Sequence, residues 1–397
     1  MFELFIAVLV GILFGVFTGL TPGVHVNLVT TILVGISAIL LDLFSPLTIA
    51  CFIVAMALTH TFLDSLPAVY LGAPDEDQVL SVLPGHRMLL EGRGYEAVKL
   101  SLIGSLGALI LTVILIYPFV ILIEKIFPFL EKYIVYLLIF IVVLLILREN
   151  KKSWAFVLFL LSGLLGLGVF GLHMRNPLLP MLSGLFGVSS LLLSIFDKVI
   201  IPEQRITKPK VGKGIIARAI GVSTLSGSLV GLLPGVGGAQ ASIIASQVAG
   251  NIGDKGFLVL VGGTNTANFV VSFVSLYVLN KARNGAIVAV SKILEILSLQ
   301  NLIIFIGVSL FAGGVATILA LIISRFYSRY ITRINYAALC IGIIVFVAVL
   351  VFIFSSWLGL FILFISTMVG LIPPLVNCGR NHLMGCLIFP VILFFLL

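Results

Sequence analysis

The fold is decided by a glycine-rich apolar segment, Gly227-Ser-Leu-Val-Gly-Leu-Leu-Pro-Gly-Val-Gly-Gly-Ala-Gln-Ala-Ser242. Pro234 and Gly235 interrupt a stretch that otherwise has the composition of a membrane helix. A break at membrane depth exposes backbone N–H and C=O groups that lipid cannot satisfy. Such a break is therefore tolerated only where it is buried in protein or lines a water-filled cavity. The segment predicts a discontinuous or re-entrant helix beside a polar site.

The same break occurs near the N-terminus, in Gly15-Val-Phe-Thr-Gly-Leu-Thr-Pro-Gly-Val-His-Val-Asn27. The two segments align at three places: Gly15 with Gly227, Gly19 with Gly231, and Pro22-Gly23-Val24 with Pro234-Gly235-Val236. Interrupted hydrophobic segments at matching positions of two halves indicate the binding site of a transporter built from repeats. We therefore expect a site where the two breaks meet.

The composition is that of a membrane protein. The chain has 397 residues, of which 61% are hydrophobic and 10% are charged. This balance predicts an all-α, multi-pass protein of the cell membrane, with about 10–14 membrane segments when re-entrant ones are counted. The formal net charge is +8, but the Lys and Arg residues sit in short loops, where they set orientation. The sequence has no cluster of basic and aromatic residues of the kind that binds nucleic acid, so we expect no nucleic-acid partner.

The chain divides into two homologous halves. A basic linker, 198–213, separates a first membrane repeat, 1–197, from a second, 214–397. A duplication of nearly the whole chain favours a transporter fold. The basic turns at 148–152 and 325–333 fit parallel repeats, whereas broken helices are common in inverted ones. We favour inverted repeats, and the sidedness of the membrane insertion stays open.

The breaks have a chemistry suited to anions. A helix that restarts after a Pro-Gly pair presents free N–H groups and the positive end of its dipole, which favour a carboxylate or phosphate. Glycines and neutral side chains around both breaks would complete such a site. The predicted substrate-binding residues are Thr21, Pro22, Gly23, His25, Asn27, Ser65, Pro234, Gly235, Gly237, Gly238, Gln240, Thr264, Asn265 and Asn268.

Asp64 is the one carboxylate at the inner end of an apolar span outside the obvious loops. Ionisable residues at membrane depth indicate function, so Asp64 is the candidate group for a coupling ion, Na⁺ or H⁺. The alternative is a helix cap at the membrane boundary. Three arginines, Arg87, Arg93 and Arg283, either attract anions or serve as orientation signals.

No enzyme signature is present in the sequence. It contains no Gly-x-Ser-x-Gly, no His-Glu-x-x-His and no Walker A motif, so we expect neither catalysis nor a cofactor. Any uphill transport would then use an ion gradient or a separate subunit. Four cysteines lie in or beside apolar segments and are expected to be buried, with no metal-ligand spacing among them: Cys51, Cys340, Cys378 and Cys386.

Several of these motifs together carry a resemblance to a known family. They are Gly19-Leu-Thr-Pro-Gly-Val-His-Val-Asn27, Asp64-Ser-Leu-Pro67, Leu83-Pro-Gly-His-Arg-Met-Leu-Leu-Glu-Gly-Arg-Gly-Tyr-Glu-Ala97, Gly231-Leu-Leu-Pro-Gly-Val-Gly-Gly238 and Thr264-Asn-Thr-Ala-Asn268. The chain resembles the large membrane subunit family of the tripartite tricarboxylate transporters, in its archaeal single-protein branch. The resemblance implies a secondary transporter with cation coupling, which holds an anion near both Pro-Gly loops.

The chain departs from this family in two respects. Thr264-Asn265-Thr266 stands where bacterial members tend to carry an acidic motif, and the chain is shorter than the bacterial subunits. A tricarboxylate substrate and dependence on a binding protein and a small accessory membrane subunit therefore stay open. A homodimer in contact with membrane lipid is a further expectation.

Three functions follow, in order of preference. The first is a permease that moves a carboxylate-bearing anion by symport with a cation. The second is a flippase for a lipid-linked phosphate such as a polyprenyl phosphate. The third is a membrane scaffold without transport activity.

Overall fold

A computed structural model describes the whole chain except residues 1, 22–25, 73–81, 173, 175, 197–200, 233–237, 295, 334 and 397. The described residues form helices joined by turns, with no strand among them. The predicted all-α fold is confirmed.

The first half contains α1 to α11, with a π-helical turn, Ser183–Val188, between the last two. These helices are α1 Phe2–Leu20, α2 Val26–Gly35, α3 Ser37–Leu43, α4 Pro46–Leu63, α5 Ser65–Tyr70, α6 Val82–Leu90, α7 Gly94–Ile114, α8 Ile116–Arg148, α9 Lys152–Gly171, α10 Leu178–Leu182 and α11 Ser189–Phe196.

The second half contains α12 to α18, with 3₁₀ turns at Ile331–Arg333 and Arg380–Met384. These helices are α12 Lys213–Val230, α13 Gly238–Ala249, α14 Gly253–Leu279, α15 Gly285–Leu294, α16 Leu299–Tyr330, α17 Tyr336–Leu375 and α18 Gly385–Leu396.

Eight helices of the described chain are long and apolar enough to cross a membrane. They are Phe2–Leu20, Pro46–Tyr70, Gly94–Ile114, Lys152–Gly171, Leu178–Phe196, Gly253–Leu279, Leu299–Arg333 and Tyr336–Leu375. Three shorter apolar helices accompany them: Val135–Arg148, Gly285–Leu294 and Arg380–Leu396. The chain is thus a multi-pass membrane protein, as predicted, although its long spans alone are fewer than the 10–14 segments expected.

The longest of these helices, α17, is two segments. At 1.5 Å per residue, its 40 residues extend about 60 Å, twice the thickness of the hydrocarbon layer. Its backbone leaves the helical region at Ser356, where φ is 57° and ψ is −161°. This kink divides α17 into two helical segments, 336–355 and 357–375.

Two spans form the centre of the protein. Over their most apolar windows, 83% of Pro46–Tyr70 and 89% of Gly253–Leu279 is buried, whereas α1 is 33% buried. Helix α1 packs on α4, and α7 and α12 pack on α14. The outer faces carry exposed aromatic and aliphatic side chains, such as Phe17 and Trp357, which suit contact with lipid.

Glycines allow the close approach of the helices that precede each Pro-Gly pair. A Cβ atom at Gly15 would lie 2.5 Å from the carbonyl oxygen of Met56 in α4. A Cβ atom at Gly227, the residue aligned with Gly15, would lie 2.6 Å from the carbonyl oxygen of Thr264 in α14. Small residues at such contacts are typical of helix packing in membranes. In each half, a glycine at the aligned position thus lets one helix pack closely against a central span. The internal duplication itself stays a prediction.

The described part of the basic linker is attached to the first half. The amide of Arg205 donates to the carbonyl oxygen of Gly92 at 2.8 Å. The side chain of Gln204 donates to the Leu89 carbonyl and accepts from the Gly94 amide, both at 2.9 Å. The division into 1–197 and 214–397 stays a prediction. All four cysteines are buried, as expected.

Candidate functional site

The central polar contact joins the two most buried spans. Asn265 of α14 donates a hydrogen bond from Nδ2 to Oδ2 of Asp64, at 2.8 Å. Asp64 follows the last residue of α4 and is 2% exposed, and Asn265 is 3% exposed. Because burying a polar group without a partner is costly, this bond ties the first half to the second. Asp64 occupies the N-cap position of α5, but its buried side chain forms no capping hydrogen bond with that helix.

Two hydroxyl groups beside this contact donate to backbone carbonyls three or four residues earlier in the chain. Ser65 donates to the Phe62 carbonyl at 3.1 Å, and Thr264 donates to the Leu260 carbonyl at 2.8 Å. Both side chains are buried. The Asp64–Asn265 bond differs from these because it crosses between helices, so a movement of α4 against α14 would break it.

The described ends of both breaks lie beside this centre. Helix α1 ends at Leu20 and α2 begins at Val26, whereas α12 ends at Val230 and α13 begins at Gly238. A Cβ atom at Gly19 would lie 3.4 Å from the Asp64 amide nitrogen, and one at Gly231 would lie 2.9 Å from the Asn268 carbonyl oxygen. The chain therefore enters each break next to the helix that carries one partner of the pair.

The predicted site residues fall into three groups. Asp64, Ser65, Thr264, Asn265 and Asn268 lie on the two central spans, as described above. At the edges of the breaks, Thr21 donates to the Phe17 carbonyl at 2.7 Å, and the Gly238 carbonyl accepts from Ser242 at 2.8 Å. Outside the described residues lie Pro22, Gly23, His25, Pro234, Gly235 and Gly237, and the side chains of Asn27 and Gln240.

Sequence reasoning missed a buried histidine at the centre. His60, one helical turn before Asp64, is 5% exposed, and its Nδ1 lies 3.1 Å from the Thr18 hydroxyl of α1. The run Thr59-His60-Thr61 within an apolar span was the available signal. The contact links α1 to α4 at the level where α1 approaches its break.

The arginines considered as anion attractors have other partners. Arg93 donates hydrogen bonds to Glu96 and Glu91 at 3.0 Å, and the bond to Glu96 raises the pKa of Arg93. Arg283 lies over the Phe127 ring, 5.1 Å from its centroid. Glu96 is 4% exposed and also pairs with Lys255 at 2.9 Å. This network fastens the start of α7 to the start of α14.

A second polar cluster holds the turn before α18. Glu149 accepts hydrogen bonds from the Gly379 amide at 3.3 Å and from His382 at 3.1 Å. Burial alone would raise the pKa of Glu149, but these bonds and that from the Asn150 amide lower it below its ordinary value. The side-chain atoms of Glu149, Cys378 and His382 that could coordinate a metal ion all lie within 4.8 Å of one another. No pattern in the sequence indicates this group, since residue 149 is far from the other two along the chain.

These features are those of a multi-pass membrane protein with a polar contact buried between its two central spans, and buried polar groups in such spans are typical of membrane transport proteins. The chain belongs to the tripartite tricarboxylate transporter TctA family, whose sequence model matches residues 5–385. Members of this family are components of a transporter rather than enzymes, and they act with other subunits and a substrate. The resemblance seen in the sequence motifs is confirmed.

A relative has been found in an archaeon. An uncharacterised protein of Methanocaldococcus jannaschii is 28% identical over 397 residues, which cover 98% of each chain. No solved structure matches the chain.

Proposed function

We propose that the protein is a secondary transporter that moves a small carboxylate-bearing anion, coupled to the entry of Na⁺ or H⁺. The observation that supports this proposal best is the buried Asp64–Asn265 hydrogen bond, which joins the halves beside both helix interruptions. Asp64 would carry the coupling cation, and the substrate would bind near the start of α13 at Gly238.

Electrostatics explains why such a site would couple the two solutes. Two unit negative charges 4 Å apart repel by about 4 kcal/mol at the effective dielectric constant typical of proteins. An ionised Asp64 would therefore weaken the binding of a carboxylate nearby. A proton or Na⁺ at Asp64 removes that repulsion, so the anion binds well only after the cation has bound.

The N-terminus of α13 supplies an attractive group for the anion. This helix runs from Gly238 to Ala249, so the positive end of its dipole lies at Gly238. That end of the helix would attract a carboxylate. In this proposal the anion is held by the helix end and by neutral groups, and Asp64 is the titratable group. A site of this kind differs from one in which an Arg or Lys holds the anion in a permanent ion pair.

Uptake into proteoliposomes tests the proposal. The full-length protein is reconstituted, and labelled succinate and citrate are supplied under an inward Na⁺ gradient, an inward H⁺ gradient or no gradient. We expect one of the two gradients to drive accumulation above the level in protein-free vesicles. Equal levels in all conditions, with the protein correctly folded and inserted, would contradict the proposal.

A further inference from the structure

A cavity of about 320 Å³ lies between the two halves, away from the Asp64–Asn265 pair. Its lining includes Arg380, Ser190, Asn381, Gln247, Arg87 and Asp254. The volume is at the lower end of the range for small-molecule sites. The cavity therefore suits a small solute rather than a macromolecule.

Arg380 is a positively charged lining residue of this cavity without an acidic partner among the described residues. Its guanidinium donates to the Ser190 hydroxyl, and among the described residues no carboxylate forms an ion pair with it. The side chain is partly buried, and the apolar residues Leu145 and Phe186 line the same cavity. A guanidinium in such surroundings is costly without a counter-charge, so the cavity favours an anion.

The turn that carries Arg380 is held in place from both sides. Glu149 accepts hydrogen bonds from Gly379 and His382, the residues that flank Arg380 and Asn381. Glu149 is thus a positioning residue for Arg380. In the sequence, the pair Arg380-Asn381 repeats Arg175-Asn176 of the first half.

Apart from Arg380, the two charged residues that line the cavity, Arg87 and Asp254, balance each other. Arg87 pairs with Asp254 at 2.7 Å, and both side chains are at least half exposed. Arg148 donates to the Gln247 side chain, which lines the cavity. Arg380 therefore leaves the cavity with an excess of positive charge, and Asp254 is the acid that lowers this excess most directly.

We propose that this cavity is an access site that captures a small oxyanion, a carboxylate or a phosphate, through Arg380, Ser190 and Asn381. Asn265 follows Asp254 by eleven residues of α14, which corresponds to about 16 Å along the helix. The cavity and the central pair therefore lie at different depths of one helix. Its role as the first stop of the transported anion rests on the proposed function; its affinity for oxyanions does not.

Binding to the purified full-length protein in detergent tests the site, with citrate and inorganic phosphate as probes in titration calorimetry. In Arg380→Ala we expect the Kd of the bound probe to rise roughly 10- to 100-fold, because the variant lacks one charge-assisted contact with the anion. Asp254→Asn removes the opposing acid and is expected to lower that Kd. The control is Arg329→Ala, at an exposed position on α16, which should leave the Kd unchanged.

Two results would overturn the site: equal Kd values in Arg380→Ala and Arg329→Ala, or no binding of either probe by the wild-type protein. If Arg380→Ala fails to fold, Asp254→Asn decides, because an unchanged or higher Kd in that variant contradicts an anion held by Arg380. Thermal unfolding and gel-filtration profiles identify the variants that fold.

Transport measurements separate this inference from the proposed function. If Arg380→Ala raises the KM for uptake and leaves the maximal rate near that of the wild type, the access role is supported. If uptake by Arg380→Ala has the wild-type KM, the access role fails and the proposed function stands. If the wild type binds an oxyanion through Arg380 but transports none under any gradient, the proposed function fails and the site stands.

Discussion

Asn265 donates a 2.8 Å hydrogen bond to Asp64 between the two most buried spans of the described chain. Each partner comes from a different half, and each lies on the span against which a glycine-rich helix packs before its Pro-Gly pair. A single contact thus joins the polar centre, the two central spans and the described edges of both interruptions.

The energy of this contact can be measured by a double-mutant cycle with Asp64→Ala and Asn265→Ala, each of which removes one partner of the bond. Asn265→Ala removes one buried partner of the carboxylate, and we expect a loss of about 1–3 kcal/mol in the free energy of unfolding. The two changes should couple by about 0.5–3 kcal/mol, as expected for residues in direct contact. Unfolding in detergent, followed by circular dichroism, measures each free energy.

Asp64→Asn keeps the shape of the side chain and an oxygen that accepts from Asn265, so this variant should fold. Asp42→Asn is a matched control, since Asp42 is exposed at the end of α3. Additive effects of the two central changes would show that the bond contributes nothing to stability.

The glycine contact between α12 and α14 predicts a difference between two substitutions on one helix. Gly227→Ala places a Cβ atom 2.6 Å from the Thr264 carbonyl oxygen, which forces backbone to move. Overpacking of this kind costs about 1–3 kcal/mol, and the midpoint of thermal unfolding should fall.

The control for that prediction is Gly221→Ala, also in α12, where a new Cβ atom meets nothing within 4 Å. Because alanine favours helix more than glycine by roughly 1 kcal/mol, Gly221→Ala should leave the midpoint unchanged or raise it. If both variants unfold at the same temperature, the close approach of α12 to α14 is wrong.

The Glu149 cluster predicts a dependence of stability on pH. The pKa of Glu149 is lowered in the folded protein, despite its burial, by hydrogen bonds from His382, Asn150 and Gly379. The folded state therefore binds this proton less readily than the unfolded state does. The stability that Glu149 contributes is fully present above its ordinary pKa of 4.5 and is lost as pH falls through the lower, folded value.

Thermal unfolding of the wild type and of Glu149→Gln between about pH 3 and pH 7, a range that brackets the titration of carboxyl groups, checks this dependence. The difference between the thermal unfolding midpoints of the two proteins should be largest at the highest pH and should shrink as the pH falls. A difference that is constant over the range would show that ionised Glu149 does not stabilise the turn before α18.

The sequence predicted the parts of this protein that depend on local composition. Long apolar runs predicted the spans, because a bilayer demands about 20 apolar residues per helix. The two Pro-Gly pairs predicted interruptions, and helices end and restart around both. Asp64 and the polar run at Asn265 stood out for the same reason, since polar groups in apolar spans are conspicuous in a linear sequence.

The sequence could not predict contacts between distant parts of the chain. Arg380 meets Ser190 across 190 residues, and Glu149 meets His382 across 233 residues. Neither pair has a spacing or composition that marks it. The burial of Asp64 is a similar case, because it depends on α14 packing over α4 and not on the residues beside Asp64.

Gradient-driven uptake by Asp64→Asn, compared with substrate exchange at equal concentrations on both sides, tests the central claim most directly. The claim predicts that this variant loses accumulation driven by Na⁺ or H⁺ but still exchanges labelled for unlabelled substrate. The uncharged amide of Asn cannot bind the coupling cation, and it does not repel the anion. Asp42→Asn should retain both activities. Full gradient-driven accumulation by Asp64→Asn would contradict the claim that Asp64 couples the cation to the anion.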